Sequence, residues 1–527
     1  MGRRPRSPSA IARDQGICGA RHSGPASWTA ALGVVLALTL LRVLAATRLG
    51  LGDVEAYYWT WSQHLSSGYL DHGPVVAWLI RLGTAIGGDS TLAVRAPFVL
   101  ISAATSLGCA ALAARLAAEA ERPAARLWAV LGLFAMPAFL VAGGAANPDV
   151  PFAALVVALL AVLLAADRAV RPCGWMALGG LLVGLAISTK LLGVLLLVPL
   201  LLGGARPRPR RLSNLLLGIG AAALGALPVL AWNLQHQWAS FRYHMVLRHT
   251  RPPGPSLANL GKLLGGQLGY VSPLLLGALV VAALAVWRGR RSAPARTLFE
   301  LSAPLLAAGF GLILVVPSAE PHWPMAGYLP LLVVLAARLP EAWHQRAAVR
   351  GLASAALALA LLLGLGLHLH LLTDLGVRVM PAGYLPRLDL SNELHGWPAV
   401  AASLRAQRRP EEPVAGCHYT VCSQLAFVSH HAFPVICPSP RLDQFDLAPG
   451  GDGSARRGGD LIYVLDERFP FPADQLYRCD AVEELAPVRV MRGGRLVRFF
   501  RLQRCRGFRG LRELRWPPRA LPAAKLT

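Results

Sequence analysis

Charge is scarce in this chain. Of 527 residues only 15% are charged and 28 are acids, against 54% apolar, and the mean hydropathy is +0.47. So little charge in a chain this long excludes a soluble cytosolic enzyme. No Walker loop and no dinucleotide glycine fingerprint is present, so nothing points to a bound nucleotide. There is no internal repeat between halves, and no acid sits in the middle of an apolar run, both of which many transporters show. What the chain has in excess is arginine. Lys and Arg total 52, giving a net charge of +24, which in a soluble protein would suggest nucleic acid. Here the arginines fall between apolar runs, the pattern of membrane topology, and no nucleic-acid partner is expected.

Runs of about 20 apolar residues can cross a bilayer. They read as 28–46, 91–117, 127–145, 151–166, 212–233, 267–287, 298–316, 322–339 and 351–372. The first is longer than the apolar core of a signal peptide and follows a basic segment with Arg3, Arg4, Arg6, Arg13 and Arg21, which places 1–27 in the cytoplasm. The stretch 174–204 is basic at both ends, with Arg168 and Arg171 before it and Arg206, Arg208, Arg210 and Arg211 after it. Two like-signed ends predict a hairpin of two short helices with Ser188-Thr189-Lys190 at its outer tip, for about eleven spans in all. Arg288, Arg290, Arg291, Arg296, Arg338, Arg346 and Arg350 then fall inside as well. Val75 to Ile86 is too short to span and reads as an interfacial helix.

Twelve acids precede residue 373 and sixteen follow it, which marks a boundary near Leu372. Beyond it, Val414–Tyr419, a helical run 420–429, Phe433–Cys437, Leu461–Leu465 and a hairpin of 488–491 with 496–502 predict a compact extracytoplasmic α/β domain over 373–505. The tail 506–527, rich in Arg and Pro, is expected to be poorly ordered. Five cysteines lie in this part: Cys417, Cys422, Cys437, Cys479 and Cys505. They favour disulfides over a metal site, with at least one thiol left over.

Polar residues are costly in lipid, so where they gather is informative. The threading puts Asp53, Glu55, Asp71, Asp89, Asp149 and Glu320 on one outer face, in polar-aromatic clusters: 52–59, 68–74, 147–151 and 320–324. Each acid alone reads as a solvated loop residue, and Asp149 as a helix cap. Four clusters on one face fit that reading poorly. Lys190, the only lysine before residue 262, could reach into headgroups or hold a lipid phosphate as a compact cation. A carboxylate beside a phosphate-binding cation suggests group transfer from a lipid phosphate, the acid taking a proton from the acceptor. His236, His244 and His249 share a loop with Arg242, Arg248 and Arg251, and the arginines are the better partners for a donor phosphate or anionic headgroup.

These clusters resemble a known family. Asp53-Val-Glu-Ala-Tyr-Tyr-Trp59, Gly68-Tyr-Leu-Asp-His-Gly-Pro74, Asn147-Pro-Asp149, Ser188-Thr-Lys190 and Glu320-Pro-His-Trp323 look like the signature segments of bacterial GT-C glycosyltransferases. The nearest resemblance is to the protein O-mannosyltransferase-like and lipid A aminoarabinose-transferase-like enzymes. Trp232-Asn233, Ala239-Ser-Phe241, Gly396-Trp397, His418-Tyr419 and Gln444-Phe-Asp446 resemble further recurrent pieces, and the likeness runs from about 28 to 505. It implies a catalytic base in the first outer loop. The usual pattern has Asp directly before Glu, whereas here Val54 intervenes, so the base falls to Asp53 or to Glu55, with Asp53 preferred. It also implies a second-loop acid at Asp149, donor-phosphate binding by Lys190 and Arg242, and substrate binding by Tyr57, Tyr58, Asp71, His72, Glu320 and His322. Some relatives bind a structural metal through a histidine of the 236–249 loop, so a divalent metal is possible and no other cofactor is implied. Asp71-His72-Gly73-Pro74 departs from the usual Asp-His-Pro-Pro, a change expected to alter loop stiffness.

The resulting expectation is a polytopic α-helical membrane protein of GT-C type, with a catalytic domain over 28–372 and a C-terminal α/β domain. It would sit in the bacterial inner membrane with its active site outward. From there it would transfer a sugar, with inversion, from a polyprenyl phosphate to a protein, lipid or polysaccharide acceptor. The competing expectation is a transporter or flippase of lipid-linked saccharides.

Overall fold

A computed structural model describes residues 28–206, 210–247, 252–448, 451, 457–469 and 471–512. The basic N-terminus, Arg208, Arg248, His249, Arg251 and the last fifteen residues lie outside the described residues.

The helical part runs α1 Thr29–Arg48, α2 Asp53–Gln63, α3 Val75–Gly87, α4 Thr91–Leu116, α5 Arg122–Phe134, α6 Pro137–Ala142, α7 Asp149–Arg168, α8 Cys173–Thr189, α9 Leu197–Gly204, α10 Arg211–Gln235, α11 Ala239–Arg242, α12 Leu257–Val271, α13 Pro273–Arg288, α14 Ala293–Val315, α15 Leu329–Gln345 and α16 Ala347–Leu372. Among the described residues seven helical stretches are long and apolar enough to cross a membrane: α1, α4, α7, α10, α14, α15 with the turn before it, and α16. An eighth is counted if α12 and α13 are one span, and the protein is a multi-pass membrane protein.

Two expected spans are interrupted. The run 267–287 is no single straight helix, because the chain bends by 99° between α12 and α13. Pro273 opens α13 and cannot continue the hydrogen-bond ladder of α12. The run 127–145 breaks ahead of Pro137 into α5 and the single turn and a half of α6.

The 174–204 hairpin is present, and its ends are fixed by two ion pairs along α7. At one end of α7 Asp149 meets Lys190, just after α8, and at the other Asp167 meets Arg206, just after α9. The chain therefore leaves along α8 and returns along α9. Asp149 and Asp167 are eighteen residues apart on α7, a rise of roughly 27 Å, close to the thickness of the hydrocarbon core. α8 lies flush on α10 because Gly184 faces Gly225 and the Ala222 carbonyl, where a Cβ would fall within 2.3 Å of that oxygen.

After α16 come α17 Leu375–Val379, α18 Trp397–Gln407, β1 Val414–Gly416, α19 Tyr419–Ser429, β2 Val435–Ile436, β3 Leu461–Asp466, α20 Ala473–Leu476, β4 Ala481–Glu484, β5 Val488–Arg492 and β6 Arg495–Arg506. β1 pairs in parallel with β2 and β3, as a strand–helix–strand unit must. β6 runs antiparallel to β3 on one side and to β5 and then β4 on the other. β3 is buried along its length: Ile462 and Val464 pack with Trp397, Val421 and Leu425, while Tyr463 and Leu465 pack with Tyr477 and Phe508. The expected strands are all found, and β4 was not foreseen, being half-exposed and acidic. Of the expected tail only residues up to 512 are described; there Phe508 is buried and Arg509 and Arg512 bond back to residues 478 and 476. Disulfides join Cys422 to Cys437 and Cys479 to Cys505, leaving Cys417 as the unpaired thiol of this domain.

An aromatic seam joins the two parts. Tyr57, Tyr58, Trp59 and Trp61 of α2 pack with Val76 and Ile80 of α3, Phe98 of α4 and Phe427 of α19. The helix pattern of α2 thus buries rings against both the bundle and the C-terminal domain.

Candidate active site

α2 begins at Asp53, and its first turn holds both acids proposed as base. They have different surroundings. Glu55 accepts from Arg95 at 2.5 and 2.8 Å, from the Gly52 N–H at 2.7 Å and from the Ala146 N–H at 2.8 Å. Burial pushes its carboxyl up, but Arg95 and the two N–H groups outweigh that and hold it below the ordinary value. With its oxygens fully occupied, Glu55 is a tie between α2, α4 and the 142–148 loop. Asp53 is also buried, yet its partners come from the C-terminal domain: Gln424 Nε2 at 3.1 Å and Arg468 at 2.7 Å. Arg468 in turn bonds Asp466 at 2.7 Å, which takes Arg498 at 2.5 Å.

The second acid cluster is built on the hairpin. Lys190 follows the last turn of α8 and donates to Asp149 at 2.6 Å, with His322 on the other Asp149 oxygen at 3.5 Å. Asp149 is not the cap of α7. Asn147 Oδ1 takes the N–H groups of Asp149 and Val150, which frees the Asp149 carboxylate for the two cations. Tyr270 lies 6.4 Å from His322, ring to ring. In the sequence Asp149 and Lys190 are 41 residues apart; the returning chain brings them together.

Asp71 and His72 connect the two clusters. Tyr57 donates to Asp71 at 2.9 Å and accepts from the Gln444 N–H at 2.8 Å, and Gln444 Oε1 takes the Leu70 N–H. His244 bonds the Asp71 carbonyl at 2.6 Å, and the His72 ring lies 5.9 Å from Tyr58. Gly73 lets this loop touch the hairpin tip: a Cβ there would sit 1.8 Å from the Ser188 carbonyl oxygen. The departure at Gly73 is therefore a matter of close packing as well as of stiffness. Arg242, on α11 in the same loop as His244, forms no ion pair among the described residues.

Tyr419 packs on Tyr57 with centroids 4.4 Å apart, and its hydroxyl is raised by burial, with Asp71 and Asp53 adding to it. His418 is pushed down to about 3 by burial and by Arg441 and Arg468, so it is neutral near pH 7. Among the described residues no three His, Cys, Asp or Glu side chains gather where they could hold a metal ion. His236 is turned to the carbonyl of Trp232 in its own helix. His249, the third histidine of that loop, lies outside the described residues.

Sequence reading missed Arg95, Gln424, Arg468 and Glu393. Arg95 carried a signal, a lone arginine in an apolar run. Arg468 did not, being one of many arginines in a polar domain.

With this geometry in hand, comparison with known proteins places the chain. A family of dolichyl-phosphate-mannose-protein mannosyltransferases matches residues 71–232. Over 337 residues the chain is 30% identical to lipid A galacturonosyltransferase RgtD of Rhizobium johnstonii, covering 61% of this chain and 68% of that one. The chain belongs to this family of GT-C glycosyltransferases. The structure of ArnT from Cupriavidus metallidurans bound to undecaprenyl phosphate superposes with a TM-score of 0.61 at 17% identity, over 91% of this chain and 98% of that one. Its apo form gives 0.59 at 16% identity. At that identity the likeness concerns the fold: a GT-C helical bundle with a small C-terminal sheet domain. The chain is thus a membrane glycosyltransferase, and the transporter reading falls away.

Proposed function

We propose that this enzyme transfers a sugar from a polyprenyl phosphate to a lipid acceptor at the outer face of the bacterial inner membrane, over the 28–372 domain and under the 373–505 domain. The carrying observation is the Lys190–Asp149–His322 cluster, held against the Asp71-His72 loop that Tyr57 ties to the helix of Asp53. An ammonium has three donors, and Asp149 orients Lys190 while using one, so two remain for the donor phosphate, with Arg242 on the same side. Tyr57, Tyr58, Asp71, His72, Glu320 and His322 line the path between this anion site and Asp53 and contact the sugar.

The reaction is a single displacement. The acceptor oxygen attacks the anomeric carbon from the face opposite the phosphate, its proton passes to Asp53, and the carbon–oxygen bond to the phosphate breaks with its electron pair. Polyprenyl phosphate leaves, stabilised by Lys190, and the anomeric centre inverts. A phosphate is already a good leaving group, so one carboxylate base suffices. RgtD, by its name, delivers galacturonate to lipid A, and an acidic sugar suits an arginine-rich site.

The test is a panel of radiolabelled polyprenyl-phosphate sugars, galacturonate among them, offered to the purified enzyme with a lipid A precursor, a protein and a polysaccharide. Labelled lipid with release of polyprenyl phosphate is expected. Label on the protein or polysaccharide alone would overturn the lipid acceptor. No transfer with any pair would overturn the donor class.

A further inference from the structure

Glu393 lies far from every cluster read in the sequence and is held at the site by an elaborate support. It belongs to the 3-10 turn Leu390–Leu394 between α17 and α18, capped by Asp389, which accepts from Ser391. Arg492, buried, donates to Ser391 Oγ at 2.9 Å and Asn392 Oδ1 at 2.7 Å and to the carbonyl of His370 at the end of α16. Trp397 Nε1 donates to the Glu393 carbonyl at 2.9 Å. This segment is fixed at both ends, so the Glu393 side chain is aimed. The Glu393 carboxyl lies against the open end of α2 at Gly52 and Asp53, and 4.0 Å from the same Arg468 nitrogen that bonds Asp53.

We propose that Glu393 is a positioning residue for Asp53: it holds the turn that carries Asp53 and competes with it for Arg468, so that its own charge sets how strongly Asp53 takes a proton. This rests on Asp53 being the base. The groups facing Glu393 are Asp53 and Glu55 from α2, Arg95 behind Glu55, Arg468 after β3, and Arg498 from β6, whose guanidinium reaches the Glu393 and His395 carbonyls. Burial, and then the Asp53 charge, push the Glu393 carboxyl up to about 7, against the pull of Arg468. Below that pH Glu393 is neutral and Arg468 serves Asp53 undivided, which weakens Asp53 as a base. Above it Glu393 is charged, repels the Asp53 charge and draws Arg468, and Asp53 becomes the stronger base. Turnover should therefore rise through pH 7.

Two readouts on the full-length enzyme test this. Infrared difference spectra should show a protonated carboxyl band lost between pH 6 and 8 in the wild type and absent in E393Q, which keeps the shape of the side chain. In turnover, E393Q should lose the rise through pH 7 and run at pH 8 slower by up to about tenfold, the effect of one unit at the base. E393D, with its carboxyl withdrawn from Asp53, should shift the inflection downward. An unchanged band and inflection in either variant would overturn the proposal, as would an E393Q enzyme that binds undecaprenyl phosphate yet is inactive at every pH. D53N separates the two claims: if it turns over normally the base assignment fails, whereas an inactive D53N beside an unaltered E393Q profile overturns only the role of Glu393.

Discussion

At the scale of the residue, the two acids of the first turn of α2 are two positions apart and have opposite situations. Glu55 is enclosed by Arg95 and two backbone N–H groups. Removing its charge strands a buried guanidinium, which costs about 3–5 kcal/mol when a buried pair is broken. Glu55→Gln should therefore lower thermal stability in detergent, with turnover per folded molecule changed far less. Asp53→Asn should do the reverse. The amide keeps its shape and loses the proton acceptor, so turnover should fall by roughly 10² to 10⁴ while undecaprenyl phosphate still binds. Melting curves and single-turnover rates on the two variants check the pair of outcomes, and the opposite ranking would move the base to Glu55. The sequence could name both acids because their cluster is local. The resemblance preferred Asp53, but the contact that sets the two acids apart was out of reach of the sequence, since Arg468 lies 415 residues from Asp53.

At the scale of the element, the hairpin of α8 and α9 shows what charge patterning can and cannot reveal. The basic residues at both ends of 174–204 predicted a turn at Ser188-Thr189-Lys190, and the chain does reverse there, with Lys190 on Asp149. The bends at Pro137 and Pro273 were written in the sequence as prolines, yet proline is tolerated within α4, α10, α14 and α15, so its presence alone did not say which helix would break. Lys190→Ala should weaken undecaprenyl-phosphate binding strongly. Lys190→Arg should restore it only in part, since a planar fork does not replace a compact ammonium seated on Asp149. Equilibrium binding to the two variants decides the matter, and equal binding by Lys190→Ala and wild type would take the phosphate away from the hairpin tip.

At the scale of the whole molecule, the polar groups segregate to the two ends of α7. One end gathers Asp149, Lys190 and His322, and the α2 turn with Asp53 is tied to the same end through the Glu55–Ala146 bond. The other gathers Asp167, Arg206, Thr297 and Glu300, from the ends of α7, α9 and α14. Basic flanks stay in the cytoplasm, and the Arg206 end is the basic one, with Arg168, Arg171, Arg210 and Arg211 beside it in the chain. This charge asymmetry supports the proposal that the site end faces outward. The C-terminal domain supplies Gln424 and Arg468 to Asp53 and must sit on that same side. Its two disulfides agree with an oxidising compartment. Alkaline phosphatase fused after Leu390 should accordingly be active and fused after Arg211 inactive. Because Asp53, on α2, takes its partners from the C-terminal domain across the seam, a reversal of that pattern would do more than invert the topology. It would put the base, the hairpin tip and the disulfides in the cytoplasm together, since the contacts that join them leave none of the three free to face the other way.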